Sequence, residues 1–216
     1  MCDTMKLARL LLFGSIILNA CQPQRPSAPE THALPILGEK EYNPQTGDTA
    51  FYSVKGFRLQ DSNGKQNTDN DLATDRVHVL SFFFTRCPRV CPALNSHLKT
   101  VSDRFEDDNS VALHSISIDP EYDTQDELTD YKSRTGIVNA NWSFYTGEKR
   151  AIFDLAKNCK LKAFDTGSDY TGLVHEPHVV LLDGQKRIRG YYNGLEKQSI
   201  QHLIADIERL KRIEGY

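Results

Sequence analysis

The apolar positions change period along the chain. Val77–Phe84 is apolar at nearly every position, as a strand covered on both faces should be. Leu94, Leu98, Val101 and Phe105 then recur at helical spacing, and Val111–Ile118 alternates apolar with small polar residues as a second strand. Phe51–Val54 and Phe57–Gln60 predict short strands around Gly56, and Asp61-Ser62-Asn63-Gly64 is a turn. Further on, the pattern predicts a helix over Asp126–Thr135, a strand over Trp142–Tyr145 and a helix over Lys149–Cys159. His178–Leu182 and Arg187–Tyr192 flank Asp183-Gly184 as a hairpin, and Ile200, Leu203, Ile204, Ile207 and Leu210 mark a closing helix.

Strand and helix alternate before a final hairpin and helix, which gives one α/β domain with parallel strands first and an antiparallel pair last. That order is the thioredoxin-like arrangement, expected over residues 49–216. Length and composition agree: 216 residues, 39% hydrophobic, suffice for one compact domain and are short for two. The 29 acidic and 26 basic side chains are spread evenly, with no basic block, so a nucleic-acid partner is not expected. A mean hydropathy of −0.50 with one apolar stretch excludes a protein of many membrane spans.

That stretch, Leu10–Ala20, is too short to cross a bilayer, which takes about 20 residues. Lys6 and Arg9 precede it and Ala20 ends it, the order of a signal peptide over residues 1–20, with Met5 a better start than Met1. Leu18-Asn19-Ala20-Cys21 resembles the bacterial lipobox, whose cysteine is lipidated and becomes the first mature residue. The competing reading is a plain secretory peptide with Cys21 as an ordinary residue. Residues 21–48 are expected as a lipidated terminus and tether, since Pro23, Pro26, Pro29 and Pro35 come with few large apolar groups. The expected place is the bacterial cell envelope, lipid-anchored with the domain on the extracytoplasmic side, where a cysteine pair can cycle between dithiol and disulfide.

Such a pair stands in Cys87-Pro88-Arg89-Val90-Cys91-Pro92, between the buried strand and the helix that follows it. Thiols four apart share one face once helical, close enough to bridge or to share a metal. The helix start favours thiolate over thiol, and Arg86 and Arg89 push the same way. Thiolate is both the nucleophile of disulfide exchange and the soft ligand that copper(I) prefers. The structural alternative is a permanent disulfide, but it would close only a few residues, where a staple gains little.

Phe84-Thr85-Arg86-Cys87-Pro88-Arg89-Val90-Cys91-Pro92 resembles the C-P-x-x-C-P signature of the Sco/SenC family, thioredoxin-like proteins of copper delivery to cytochrome oxidase. Ser117-Ile118-Asp119-Pro120-Glu121-Tyr122-Asp123-Thr124 is similar to that family's S-x-D-P-x-x-D-T stretch, and His175, six residues ahead of Leu181, matches its metal-binding position. The resemblance runs from about Phe51 to the closing helix. It implies a copper site of Cys87, Cys91 and His175, with His178 the alternative ligand, and an oxidase subunit carrying the copper centre as partner. It also implies the alternative of a thiol–disulfide oxidoreductase acting on that subunit's cysteines or on other envelope disulfides. Pro177, between the two histidines, is a candidate for the cis proline of thioredoxin-like folds. Asp119 either orients a ligand from behind or caps the next helix.

One departure stands out. Many members carry an acidic residue between the cysteines, where this chain has Arg89. A cationic rim opposes metal capture and favours thiolate, by up to ~1 kcal/mol for exposed charges. A peroxidase of the peroxiredoxin type is disfavoured, because Phe84 stands where a Thr or Ser is needed three residues ahead of Cys87. Cys159, His78, His97, His114, His202 and Trp142 are expected to be structural.

Overall fold

The structure, a computed structural model, describes residues 33–167 and 170–216. The signal segment, Cys21 and the first part of the tether lie outside the described residues. Eleven strands and four helices follow one another among the described residues: β1 (Lys40–Tyr42), β2 (Thr49–Phe51), β3 (Arg58–Asp61), β4 (Gln66–Thr68), β5 (Val77–Phe83), α1 (Val90–Arg104), β6 (Val111–Ser117), α2 (Gln125–Arg134), β7 (Trp142–Thr146), α3 (Lys149–Asn158), β8 (Ala163–Asp165), β9 (Leu173–His175), β10 (His178–Leu182), β11 (Ile188–Asn193) and α4 (Lys197–Glu214).

Seven strands form one mixed sheet in the order β11-β10-β5-β6-β7-β3-β4. β5, β6 and β7 are parallel, and the other pairs antiparallel. β5 and β6 are buried at every position, which is why Val77–Phe84 reads as a continuous apolar run. Helices flank the sheet: α1 packs against α4, α4 against β11 and β5, α2 against β7, and α3 against β3. Each helix supplies an apolar stripe, as α1 does with Leu94, Leu98 and Val101 and α4 with Ile200, Leu203, Ile207 and Leu210. The expected thioredoxin-like domain is therefore present, with its parallel strands central.

The elements that escape the pattern are short. β1 and β2 pair with each other and are exposed at every residue, while β4 turns back on β3 after the Asp61–Gly64 turn. β8 and β9 form a second two-stranded piece, with Ala163 opposite His175.

The domain also begins earlier than residue 49. Leu34 is buried, and the Leu37 amide donates to the Ile188 carbonyl at 2.8 Å, so part of the expected tether lies on the domain.

Candidate metal centre

The parallel register aims the C-terminal ends of β5 and β6 at one pole. Phe84 and Thr85 leave β5 there, Cys87 sits in the turn, and α1 begins at Val90. Cys87 is therefore ahead of the helix, where a shared helical face was expected. Its sulfur acts as the helix's cap: the Cys91 amide donates to Cys87 Sγ at 3.4 Å, while Arg89, the cap residue, makes no side-chain cap bond. The thiols diverge as a result. Hydrogen bonding from the Cys91 thiol, aided by the N–H groups of Arg89, Val90 and Cys91, pulls Cys87 down to about 5 against the penalty of burial. The Cys91 thiol moves the other way, raised first by donating to Cys87 and then by its own burial. Cys91 is buried and Cys87 half-buried.

His175 comes across from the end of β9. Its Nε2 lies 3.6 Å from Cys91 Sγ, its Nδ1 is 3.2 Å from the Glu176 carbonyl oxygen, and its ring meets Phe84 edge-on at 6.2 Å. Nδ1–H donating to that carbonyl leaves Nε2 as the free lone pair aimed at sulfur. Burial lowers the imidazole's pKa, which keeps that lone pair available. Two donors on one ion, at about 2.0 Å for nitrogen and 2.3 Å for sulfur, stand no more than about 4.3 Å apart, so this separation suits co-ligation. Among the described residues no three histidine, cysteine or carboxylate side chains stand as a ready-made metal cluster.

His178 begins β10 and pairs across the strand with Asn193. The peptide before Pro177 is trans, correcting the cis expectation, as every described peptide is. Pro177 still fixes the loop, because its carbonyl accepts from the Gly194 amide at 2.8 Å.

Asp119 reaches the cysteine turn through Arg86 and does not cap the next helix. Arg86 donates to its Oδ2 from Nη2 at 2.6 Å and from Nε at 3.0 Å, with the guanidinium 4.1 Å from the centre of the Tyr122 ring. The cap of α2 is Thr124, whose hydroxyl accepts from the Glu127 amide. Asp119 thus neutralises Arg86 and pins the residue before Cys87.

Sequence reasoning missed Asp123. Its fully buried carboxylate accepts from the Thr85 amide at 3.0 Å, the Thr85 hydroxyl at 2.5 Å and the Ser117 hydroxyl at 2.5 Å. Burial raises its pKa, with these donors pulling back. The carboxylate ties the cysteine turn to the end of β6. The signal was in the quoted D-P-x-x-D-T stretch, where only the first aspartate was weighed.

Five of the remaining candidates are built into the fold. Cys159 is fully buried, and its thiol is raised to about 12 by burial. His78 Nδ1 is 3.1 Å from His114 Nε2, and His114 Nδ1 is 3.1 Å from the Tyr145 hydroxyl. His97 Nδ1 lies 2.9 Å from the Gly194 carbonyl oxygen. Trp142 is core, donating to the Ser115 hydroxyl at 2.9 Å.

Known proteins share this fold. The chain is 26% identical to the SCO1 protein homolog of Bacillus subtilis over 171 residues, 76% of this chain and 86% of that one. A solved structure of BsSco, described as having a disulfide switch and as one of the Sco family of cytochrome c oxidase assembly proteins, is 25% identical, with a TM-score of 0.65 over 75% of this chain and 95% of that one. Arabidopsis thaliana ScoI, solved with copper bound, has the same fold at 22% identity, with a TM-score of 0.61 over 73% of this chain and 99% of that one. The SCO1/SenC family model matches residues 45–212, the whole seven-stranded sheet together with the cysteine turn and His175, and the chain belongs to that family.

Proposed function

We propose that the protein binds copper through Cys87, Cys91 and His175 and passes it to the copper centre of a respiratory cytochrome c oxidase. The carrying observation is the 3.6 Å approach of His175 Nε2 to Cys91 Sγ beside a Cys87 held as thiolate. Two thiolates and one neutral imidazole are a soft, low-coordinate donor set that suits copper(I), and further ligands would adapt it to copper(II). Zinc would ask for a fourth donor or a water. The lipobox-like segment supports anchoring by lipid on Cys21, with the domain on the extracytoplasmic side of a bacterial membrane.

A second reading, thiol–disulfide exchange, is favoured by the asymmetry of the two thiols. The Cys87 thiolate attacks a partner disulfide, forming a mixed disulfide and releasing one partner thiolate. Cys91 then gives up its proton and displaces the second partner thiol. Two electrons and the Cys91 proton pass to the partner, whose other thiolate takes its proton from water, and a Cys87–Cys91 disulfide remains.

Copper competition against a chelator tests the first reading. Retention is expected in the native protein and lost in His175→Ala. If His175→Ala holds copper as tightly as the native protein, while copper-free protein reduces an oxidase-subunit disulfide, delivery by this site is wrong and exchange is the function.

A further inference from the structure

Away from the thiols lies a buried charge cluster that the proposed function leaves unused. Asp183 is fully buried and Arg189 is 4% exposed. Arg189 Nη1 donates to Asp183 Oδ2 at 2.9 Å and to Glu214 Oε1 at 2.7 Å, while Arg187 Nε donates to Asp183 Oδ2 at 2.6 Å. Two guanidiniums against two carboxylates leave the cluster neutral, as burial requires.

The other donors of Arg189 point out of the cluster to the N-terminal segment. Nη2 donates to the Leu34 carbonyl at 2.7 Å and Nε to the Pro35 carbonyl at 3.1 Å. With Leu34 buried and Leu37 bridged to Ile188, this stretch straps the outer edge of β11, which otherwise ends the sheet. The strap precedes the family match over residues 45–212.

The sheet register fixes its pole. Leu182 stands opposite both Ile188 and His78, so the strap meets β11 level with the start of β5. Cys87 follows the other end of β5, and the strand rises about 17 Å between His78 and Phe83.

We propose that Arg189 and Leu34 form an exit clamp, holding the point where the chain leaves the domain at the pole opposite the thiols, so that a lipid surface lies beneath that pole and Cys87, Cys91 and His175 face away from it. The inference rests on the reading of Cys21 as a lipid anchor. A chain clamped at Leu34 reaches at most about 45 Å from Cys21, against about 95 Å for a tether free to residue 48. Attachment at the far pole, on the shorter leash, favours orientations that present the donor set to a partner standing above the membrane.

The test uses the full lipidated protein on phosphatidylethanolamine–phosphatidylglycerol vesicles, with hydrogen exchange at Leu37 and a dye on Cys87 quenched by nitroxide-labelled lipid. The native protein should protect the Leu37 amide and show little quenching. Arg189→Met should lose that protection at least tenfold and gain quenching severalfold, with β5 and β6 protection unchanged. Because Arg189→Met strips a partner from buried Asp183, Leu34→Gly loosens the strap with the cluster intact and should do the same. An unprotected Leu37 amide in the native protein, or quenching equal in native and variant, overturns the clamp. Failure of the native protein to bind vesicles overturns the lipid anchor and the membrane orientation, while leaving Leu37 protection to report on the strap.

Discussion

Asp123→Ala is expected to destabilise the domain by about 2–4 kcal/mol. The native carboxylate collects three donors from two segments, the Thr85 amide, the Thr85 hydroxyl and the Ser117 hydroxyl. The half-buried Thr85 hydroxyl can turn to water, whereas Ser117 is fully buried and the Thr85 amide loses the carboxylate it donates to. That leaves two stranded donors at about 1–3 kcal/mol each, less what relaxation recovers. Urea unfolding with an unchanged m-value reads the loss. Asp123→Asn separates charge from shape, because an amide oxygen still accepts while the carboxylate's desolvation disappears. The Asp123 pKa is raised in the folded state, so its contribution is fully present below the ordinary value of 3.8 and is lost as pH rises through the folded value. Above that window the native protein should therefore lose stability relative to Asp123→Asn. Asp123→Ala unfolding within 1 kcal/mol of native would refute the idea that this carboxylate holds the cysteine turn.

Other outcomes follow from the same geometry. His175→Ala should weaken copper retention by more than about 100-fold, because even groups behind a ligand are worth 10–100-fold, while His178→Ala should leave chelator competition unchanged. In the reduced, copper-free protein, iodoacetamide should alkylate Cys87 at a rate nearly flat above pH 6, since its thiol sits at about 5. A rate still climbing tenfold per unit near pH 8 would mean the helix start does not hold a thiolate. Gly194→Ala should cost about 1–3 kcal/mol by thermal unfolding, because a Cβ there would stand 2.2 Å from Leu94 Cδ1 and 2.8 Å from the Pro177 oxygen.

What the sequence made legible tracks how much each segment buries. β5, β6, α1 and α4 were readable because their apolar positions are frequent and their burial nearly complete. β1, β2, β4, β8 and β9 have three residues each, too few for a period of two to register, and the first two bury nothing. In the candidate site, Cys87, Cys91 and His175 stood out because they are reactive residue types in matched motifs. Asp123 did not, since its partners lie 38 and 6 residues away in sequence and only the fold collects them. Leu34 was absorbed into a proline-rich tether because one apolar residue carries no pattern, and Arg189, which holds its carbonyl, is far away in sequence.

The charge beside the thiols also reads differently once folded. From the sequence, Arg86 and Arg89 together suggest a cationic rim that tilts the pair from metal capture toward electron transfer. In the structure Arg86 forms a close ion pair with Asp119, so its charge is largely cancelled at the sulfurs. Arg89 remains exposed, where screening holds its influence to a fraction of a kcal/mol. The depressed Cys87 thiol therefore owes little to arginine and most to hydrogen bonds donated by the Cys91 thiol and the helix's first amides, groups that favour a thiolate without repelling a cation. Arg89→Glu should accordingly leave the Cys87 alkylation profile within about half a pH unit of native. A shift of a full unit or more would return control of the thiolate to the arginine rim.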